Sequence, residues 1–280
     1  MGKLLVIDGS NLLFQMFYGM PARITGRGGK AIQGTLGFIG ALGKMFRMTG
    51  PTHAVVLFDG EGEKERPTLD AEYKANRPDW STMAEEETPF SQLPDIYAAL
   101  DYLDIRHAEC TSLECDDVIA SYVETYGGEN EIVISSFDSD FFQLISEKVS
   151  VLRYRGDQSV LCTPNYIKER LGVSPERYAD YKSLVGDTAD NIRGVPKVGP
   201  KTAAALIGEY GSVEGVIEAA DKISRPSIRD AVATSVDRIR LNYKLIKLDG
   251  TAELPFTLEE LEYETALPRT RDILEAIEVI

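Results

Sequence analysis

Nine carboxylates of this 280-residue chain stand where chemistry could use them. Asp8, Asp59 and the pair Asp138 and Asp140 follow three short apolar runs: Lys3 to Ile7, His53 to Phe58 and Glu131 to Ser136. Glu114, Asp116 and Asp117 open a helical stretch, Leu113 to Tyr126, that Gly127-Gly128 stops. Asp187 and Asp190 read as the end of another helix and the turn after it. Singly, each has a plain structural explanation: Asp caps turns, and acids in a first helical turn answer the macrodipole. Three strand ends delivering acids, one of them doubled, weaken that explanation. Crowded carboxylates raise one another's pKa and cannot all stay ionised without cations. An all-oxygen set suits Mg2+ or Mn2+. Two such ions can activate a water and stabilise a leaving 3′-oxygen in phosphodiester hydrolysis. Two histidines, His53 and His107, leave little room for histidine chemistry. The three cysteines, Cys110, Cys115 and Cys162, form neither an even disulfide set nor a Cys-x-x-Cys pair.

A second feature is a local inversion of charge. The chain carries a net −15, yet Ile192 to Ile207 contains no acid and three bases, Arg193, Lys197 and Lys201. Gly194 to Thr202 reads as a turn opening a helix, with Gly199 at the cap and Pro200 in the first helical position. Glycine lets backbone approach a ligand closely, and free N–H groups at a helix start suit an anionic oxygen. An ordinary Gly/Pro turn between two helices has the same look.

The elements that must position these groups can also be read. The three acid-tipped runs, with Val149 to Tyr154 as a fourth, read as buried parallel strands, whose C-terminal edge is where open α/β sheets bind ligands. The segment Glu61 to Glu87 is polar and is expected to be exposed and mobile. Thr88-Pro89 should cap a helix that Pro94 kinks. Thr163-Pro164 caps a helix that Gly172 stops, Ser174-Pro175 caps another through Val185, and Ser212 begins a further one. The expectation is an α/β core over 1–162 and a helical lobe over 163–280 packed on it. Composition, 43% hydrophobic and 27% charged, is that of a soluble domain. No run suits a membrane span and the N-terminus lacks a signal peptide, so a cytoplasmic protein without a membrane partner is expected. Net acidity argues against a blanket nucleic-acid binder but allows DNA to be held at discrete basic sites.

Gly186-Asp187-x-x-Asp190-Asn-Ile-x-Gly194-Val-x-x-Val198-Gly199-x-Lys201-Thr202-Ala resembles the helix-hairpin-helix signature of 5′ nucleases. That family includes flap endonucleases, phage 5′ exonucleases and the N-terminal nuclease domain of bacterial DNA polymerase I. Glu114-x-Asp116-Asp117-x-Ile-Ala matches its acidic motif, and Tyr73-Lys74-x-x-Arg77 resembles its helical arch, here at about 61–103. The resemblance runs from Lys3 to about Gly211 with every acid in place. It implies an α/β fold: a PIN-like (resolvase-like) parallel-sheet core with the arch, and a C-terminal helical lobe carrying the hairpin. It implies a metal-dependent 5′-3′ exonuclease and flap endonuclease acting on 5′-flap or nicked DNA and on RNA primers, as a monomer. Asp8, Asp59, Glu114 and Asp116 would surround one Mg2+ or Mn2+, with Asp117 in its outer shell. Asp138, Asp140 and Asp187 would hold the second, with Asp116 between the two and Asp190 supporting. Lys74 and Arg77 would meet the scissile phosphate. Tyr73, Arg193, Gly194, Lys197, Val198, Gly199, Lys201 and Thr202 would contact DNA, the hairpin often through K+. Two features depart from a full-length polymerase I. The sequence ends at Ile280 before any polymerase domain, as expected of a stand-alone nuclease or of a piece of a longer polymerase, and Glu85-Glu86-Glu87 within the arch is unfriendly to DNA. Three other readings compete. A PIN-type ribonuclease would not need the hairpin, a non-catalytic binder of branched DNA would tolerate lost acids, and an acidic sugar-phosphatase would not need a DNA clamp.

Overall fold

The computed structural model describes residues 2–60, 66–78, 80–84, 87–111, 113–263 and 266–280. Glu85 and Glu86, flagged above, lie outside that set, as do residues 61–65 of the polar segment. The chain begins β1 (Lys3–Asp8), α1 (Gly9–Gly19), α2 (Gln33–Thr49) and β2 (His53–Asp59). After the one-turn α3 (Arg66–Leu69) come α4 (Leu93–Tyr102), β3 (Arg106–Cys110), α5 (Cys115–Tyr126), β4 (Glu131–Ser135), β5 (Val149–Arg153) and β6 (Val160–Cys162). These strands form one sheet in the order β3-β2-β1-β4-β5-β6, parallel except where β6 runs against β5. Leu4 lies opposite both His53 and Ile132, so β1 lies between β2 and β4, which end within two residues of it.

Alternation along the strands divides the core into two faces. Leu4, Val6, Val55, Leu57, Ile132 and Ile134 pack with α5 and the helical lobe. Leu5, Ile7, Val56, Phe58 and Val133 pack instead with α1, α2 and α4. Because both faces are covered, these strands read as unbroken apolar runs in the sequence.

The lobe is built from α6 (Pro164–Leu171), α7 (Tyr178–Val185), the two-residue strands β7 (Gly186–Asp187) and β8 (Ile192–Arg193), and α8 (Pro200–Tyr210). It continues through α9 (Val213–Glu218), α10 (Pro226–Thr234), α11 (Val236–Ile246) and α12 (Thr270–Ala276). Thr163 caps α6 through its side chain, Gly172 ends it in the left-handed region, and Ser212 caps α9, all as the sequence indicated. Ile273 and Leu274 of α12 leave the lobe and join the α1/α2 face of the sheet.

Three expectations are corrected. β3 was missed, because Arg-His-Ala-Glu-Cys at a sheet edge carries exposed and half-buried polar residues and gives no apolar run. Pro94 does not kink a helix; it sits in the first turn of α4, where its missing N–H costs nothing. The described part of residues 66–92, expected to belong to a helical arch, is α3, a series of turns and 3-10 segments that include Trp80–Thr82 and Pro89–Gln92.

Candidate active site

The acids meet because three parallel strands end within two residues of one another. Asp8, the last residue of β1, caps α1: its Oδ1 accepts the Asn11 N–H at 2.9 Å. Its Oδ2 accepts the Ser136 hydroxyl at 2.8 Å, and Ser136 Oγ in turn accepts the Asp138 N–H at 2.9 Å. Asp138 Oδ1 accepts the Asp140 N–H at 2.8 Å, fixing the turn beyond β4. At the end of β2, the Asp59 N–H donates to Ser10 Oγ, and Asp59 Oδ1 accepts the Cys115 N–H at 3.3 Å. That bond ties the start of α5 to the sheet edge. Glu114 is the N-cap residue of α5, with Asp116 and Asp117 in its first turn.

Burial and mutual repulsion govern the protonation of this edge. Loss of water, reinforced by Asp59 and Asp138, pushes the Asp8 carboxyl up to about 7 despite its two hydrogen bonds. Asp116 is raised well above the carboxylate range by burial, then by Asp138 and Asp8. Burial likewise raises Asp138, with Asp190 and Asp187 adding to it. Asp140 is driven well up by burial and by Asp138 and Asp187.

Opposite this edge lies a strap, residues 66–77, which supplies cations. Arg66 donates to Glu114 Oε2 at 2.7 Å, to Asp117 Oδ1 at 2.6 Å and to the Lys247 carbonyl at 3.3 Å. Lys74 Nζ reaches the same Glu114 oxygen at 2.9 Å, and the Tyr73 hydroxyl donates to it at 3.2 Å. Arg77 pairs with Asp190 Oδ1 at 3.0 Å, and Lys182 of α7 with Asp187 Oδ2 at 2.9 Å. Burial would raise Glu114, but Lys74 and Arg66 outweigh it and hold the carboxyl below its ordinary value. Asp117 remains raised, since its burial exceeds the help from Arg66 and from the Asp249 N–H.

This strap was expected to be exposed, and Arg66 and Tyr73 are instead buried. Tyr73 packs with Ala179, Ile192, Leu245 and Ile246 while its hydroxyl serves Glu114, so in this conformation it faces the acids rather than a DNA strand. Arg66, Lys182 and Ser136 are the site residues that sequence reasoning missed. No local signal marks the first two, because each finds its carboxylate through the fold.

Among the described residues, no group of three or more His, Cys, Asp or Glu side chains is arranged to hold a metal ion as it stands. Glu114, Asp117, Asp187 and Asp190 hold internal cations. The remaining donors nevertheless fit a hard divalent ion. They are all oxygen, they repel one another, and Asp140 Oδ1 is buried without a hydrogen-bond partner.

The hairpin lies on the same side. Gly186 has φ +84, and a Cβ there would collide with the Gly194 backbone. A Cβ on Gly194 would in turn strike the Val185 carbonyl, so both positions need glycine. The Val195 N–H closes the turn on the Leu184 carbonyl at 2.8 Å. Asn242 of α11 braces it by donating to the Ser183 and Arg193 carbonyls. Gly199 caps α8, and Lys197, Gly199 and Lys201 are exposed while Thr202 is half-buried. Arg193 is exposed and pairs with Glu72 at 3.3 Å. The Val198 side chain is in the core, so only its backbone is available to a ligand.

Residues 3–172 match the family of 5′-3′ exonuclease N-terminal resolvase-like domains, and residues 173–268 match the 5′-3′ exonuclease C-terminal SAM fold. The chain belongs to the 5′-3′ exonuclease family. It is 31% identical over 264 residues to a 5′-3′ exonuclease of Aquifex aeolicus, covering 94% of this chain and 87% of that protein. The thermostable DNA polymerase I of Thermus aquaticus is 32% identical over 279 residues, 99% of this chain. The chain spans 32% of that polymerase's length. The fold is also that of the bacteriophage T5 D15 flap endonuclease, solved as a pseudo-enzyme-product complex with DNA and metal ions. There the TM-score is 0.71 at 22% identity, with 99% of each chain covered. The 5′-3′ exonuclease fold is thus a mainly parallel resolvase-like sheet with a helical C-terminal part. Among the described residues, no helix is long and apolar enough to cross a membrane.

Proposed function

We propose that this chain is a divalent-metal-dependent 5′-3′ exonuclease and flap endonuclease that hydrolyses phosphodiesters of branched or nicked DNA. One observation carries the reading: buried, mutually repelling carboxylates at the ends of β1 and β4 and the start of α5 lie opposite a strap bearing Lys74 and Arg77. Asp8, Asp59, Glu114 and Asp116 would hold one ion, and Asp138, Asp140 and Asp187 the other, with Asp117 and Asp190 supporting. Bound Mg2+ or Mn2+ supplies an activated water and charge stabilisation at the departing 3′-oxygen.

The chain's own residues do the rest. Ser136 and the Asn11 N–H fix the orientation of Asp8, and the turn at Asp138 fixes Asp140. Arg66 holds Glu114 and Asp117 in place. Lys74 and Arg77 would receive a scissile phosphate, where negative charge builds during hydrolysis. Tyr73 orients Glu114 and underlies Lys74, whose ammonium sits 4.8 Å from its ring centroid. Arg193, Gly194, Lys197, the Val198 and Gly199 backbone, Lys201 and Thr202 would grip the duplex backbone away from the cut, with K+ as a bridging ion.

The test is to incubate the protein with 5′-labelled flap, nicked and single-stranded DNA, with Mg2+ or with EDTA, and to size the products. Short 5′ products from flap and nick in Mg2+ alone are expected. Equal cleavage of single-stranded RNA, or no cleavage of any DNA, would overturn the reading.

A further inference from the structure

The strap sorts its own charges. Its cations, Arg66, Lys74 and Arg77, all meet carboxylates of the acid site, while its two acids pair with bases of the helical lobe. Asp70 Oδ2 accepts from Arg238 of α11 at 2.8 Å, and Glu72 pairs with Arg193 at the hairpin at 3.3 Å. Asp70 Oδ1 also accepts the Glu72 N–H at 2.9 Å, so one turn fixes both acids. Backbone contacts complete the hold. The Lys74 N–H donates to the Asp190 carbonyl at 3.0 Å, the Asn191 amide to the Glu72 carbonyl at 2.7 Å, and the Asn76 amide to the Thr188 carbonyl at 3.2 Å.

The two kinds of pairing differ in their access to water. Arg66 and Glu114 are 9% and 6% exposed, a pair sealed inside the fold. Arg193 and Glu72 are 72% and 49% exposed, and Arg238 is 37% exposed. Exposed pairs are weak and screened by salt, so a polyanion can take the base from its acid. Position indicates which polyanion. Arg238 lies one turn, about 6 Å, before Asn242 on the same helix, and the Asn242 amide donates to the Arg193 carbonyl. Two bases therefore stand beside the hairpin, each covered by an acid of the strap. Arg240 supplies the contrast: two residues beyond Arg238 it faces elsewhere, and it pairs with Glu214 of α9 within the lobe.

We propose that Arg238 is a contact for the DNA backbone beside Arg193, and that Asp70 and Glu72 occupy both bases in the free protein as internal stand-ins for phosphate. Substrate displaces the two acids, while Arg66 and Tyr73 keep the strap seated on Glu114. The inference rests on the nuclease reading and adds to it a binding residue and an autoinhibitory contact. It requires the two members of one ion pair to act oppositely on affinity. Removing the acid frees a base for DNA, whereas removing the base deletes a phosphate contact. Because the parent protein exchanges one pairing for another, it also releases fewer counterions on binding than it would with both bases free.

The full chain in EDTA is titrated with labelled 5′-flap and nicked duplexes over a range of salt, and anisotropy is followed. Asp70→Asn combined with Glu72→Gln should tighten both DNAs about fivefold, the reach of exposed pairs, and steepen the fall of log K with log salt. Asn at position 70 keeps an acceptor for the Glu72 N–H. Arg238→Gln should weaken both DNAs and flatten that slope by about one unit. Glu214→Gln with Glu218→Gln removes the same charge from the lobe and should change affinity far less. Hydrogen exchange without DNA gives a second reading: the Lys74 amide should exchange faster in the Asp70/Glu72 variant, while α5 keeps its parental protection. Equal tightening in the Glu214/Glu218 control would reduce the effect to net charge and overturn the proposal. So would an Asp70/Glu72 variant that binds no tighter than the parent, or an Arg238 variant with an unaltered slope. These outcomes leave the nuclease reading intact; a parent protein that binds neither DNA removes that reading and this inference with it.

Discussion

Glu114 and Asp116 stand two residues apart at the start of α5 and experience opposite fields. Glu114 receives Arg66, Lys74 and the Tyr73 hydroxyl, and although burial opposes ionisation its carboxyl is held below the usual range. Asp116 looks toward Asp138 and Asp8, and its carboxyl is held far above it. The same division extends through the site. On the strap side, Glu114, Asp117, Asp187 and Asp190 each have an internal cation. On the sheet edge, Asp8, Asp138 and Asp140 have hydrogen bonds or burial but, among the described residues, no matched base within ion-pair distance. The strap side is neutralised by its own cations. The edge stores uncompensated charge that protons or an added cation must relieve, which is how a fold prepares groups for chemistry.

Replacing the edge acids should have the largest effect. Asp116→Asn or Asp138→Asn should reduce flap cleavage to background, because each removes a ligand where the two sets of acids meet. In EDTA the same variants should melt no lower than the parent, since a repelling buried charge is gone. Cleavage at the parental rate in both would break the division at its functional end.

The strap side should answer in stability. Arg66→Met removes the cation shared by Glu114 and Asp117 and leaves two buried carboxylates facing each other. Breaking such a pair costs ~3–5 kcal/mol, so the urea midpoint should fall sharply. A loss below about 1 kcal/mol, the range of exposed ion pairs, would show that the strap is not structural.

Next in size is the response to pH and metal. Asp8 has a folded-state value of about 7 against an ordinary 3.8, so between these values the folded protein binds more protons than the unfolded chain. Stability then falls as pH rises across that window, and the contribution present below the ordinary value is lost once pH passes the folded one. In EDTA the melting temperature should therefore decline from pH 5 to about 7.5. Saturating Mg2+ or Mn2+ should restore it, by about 2.7 kcal/mol at a hundred times Kd. A metal-free curve that rises over this interval, or no shift with Mn2+ at constant ionic strength, would contradict an uncompensated edge.

How much of this could be read beforehand follows the same physical line. β1, β2, β4 and β5 are buried on both faces or flanked by such strands, so their apolar runs and their terminal acids stand out in the sequence. β3 is an edge strand with Arg106 and Glu109 exposed and His107 half-buried, and no apolar run marks it. The acids were legible because each sits at an element boundary. Their counter-ions were not, because Arg66 and Glu114 are 48 residues apart and meet only when the sheet brings them together. Tyr73 shows the limit of a motif: its sequence context marks a DNA-facing arch, and packing against Ile192 and Ile246 turns the ring inward.

The hairpin supplies the smallest expected effect and the sharpest contrast with the acid site. Lys197 holds a left-handed backbone, φ +66, and is exposed before the cap of α8; Lys201 is exposed in that helix's first turn. Neither forms an ion pair with a site carboxylate among the described residues, unlike Lys74, whose ammonium is seated on Glu114. Their contribution should be to backbone phosphates away from the cut, where a lysine acts through counterion release. Lys201→Ala should weaken flap and nick binding alike and reduce the slope of log K against log salt by about one unit. Lys197 is better replaced by Asn, which tolerates the left-handed region, so that loss of charge is not confused with backbone strain. Single-turnover cleavage at saturating enzyme should stay near the parental rate in both variants. Retained salt slopes with a slowed chemical step would transfer these lysines from clamp to active site and erase the distinction between the two regions.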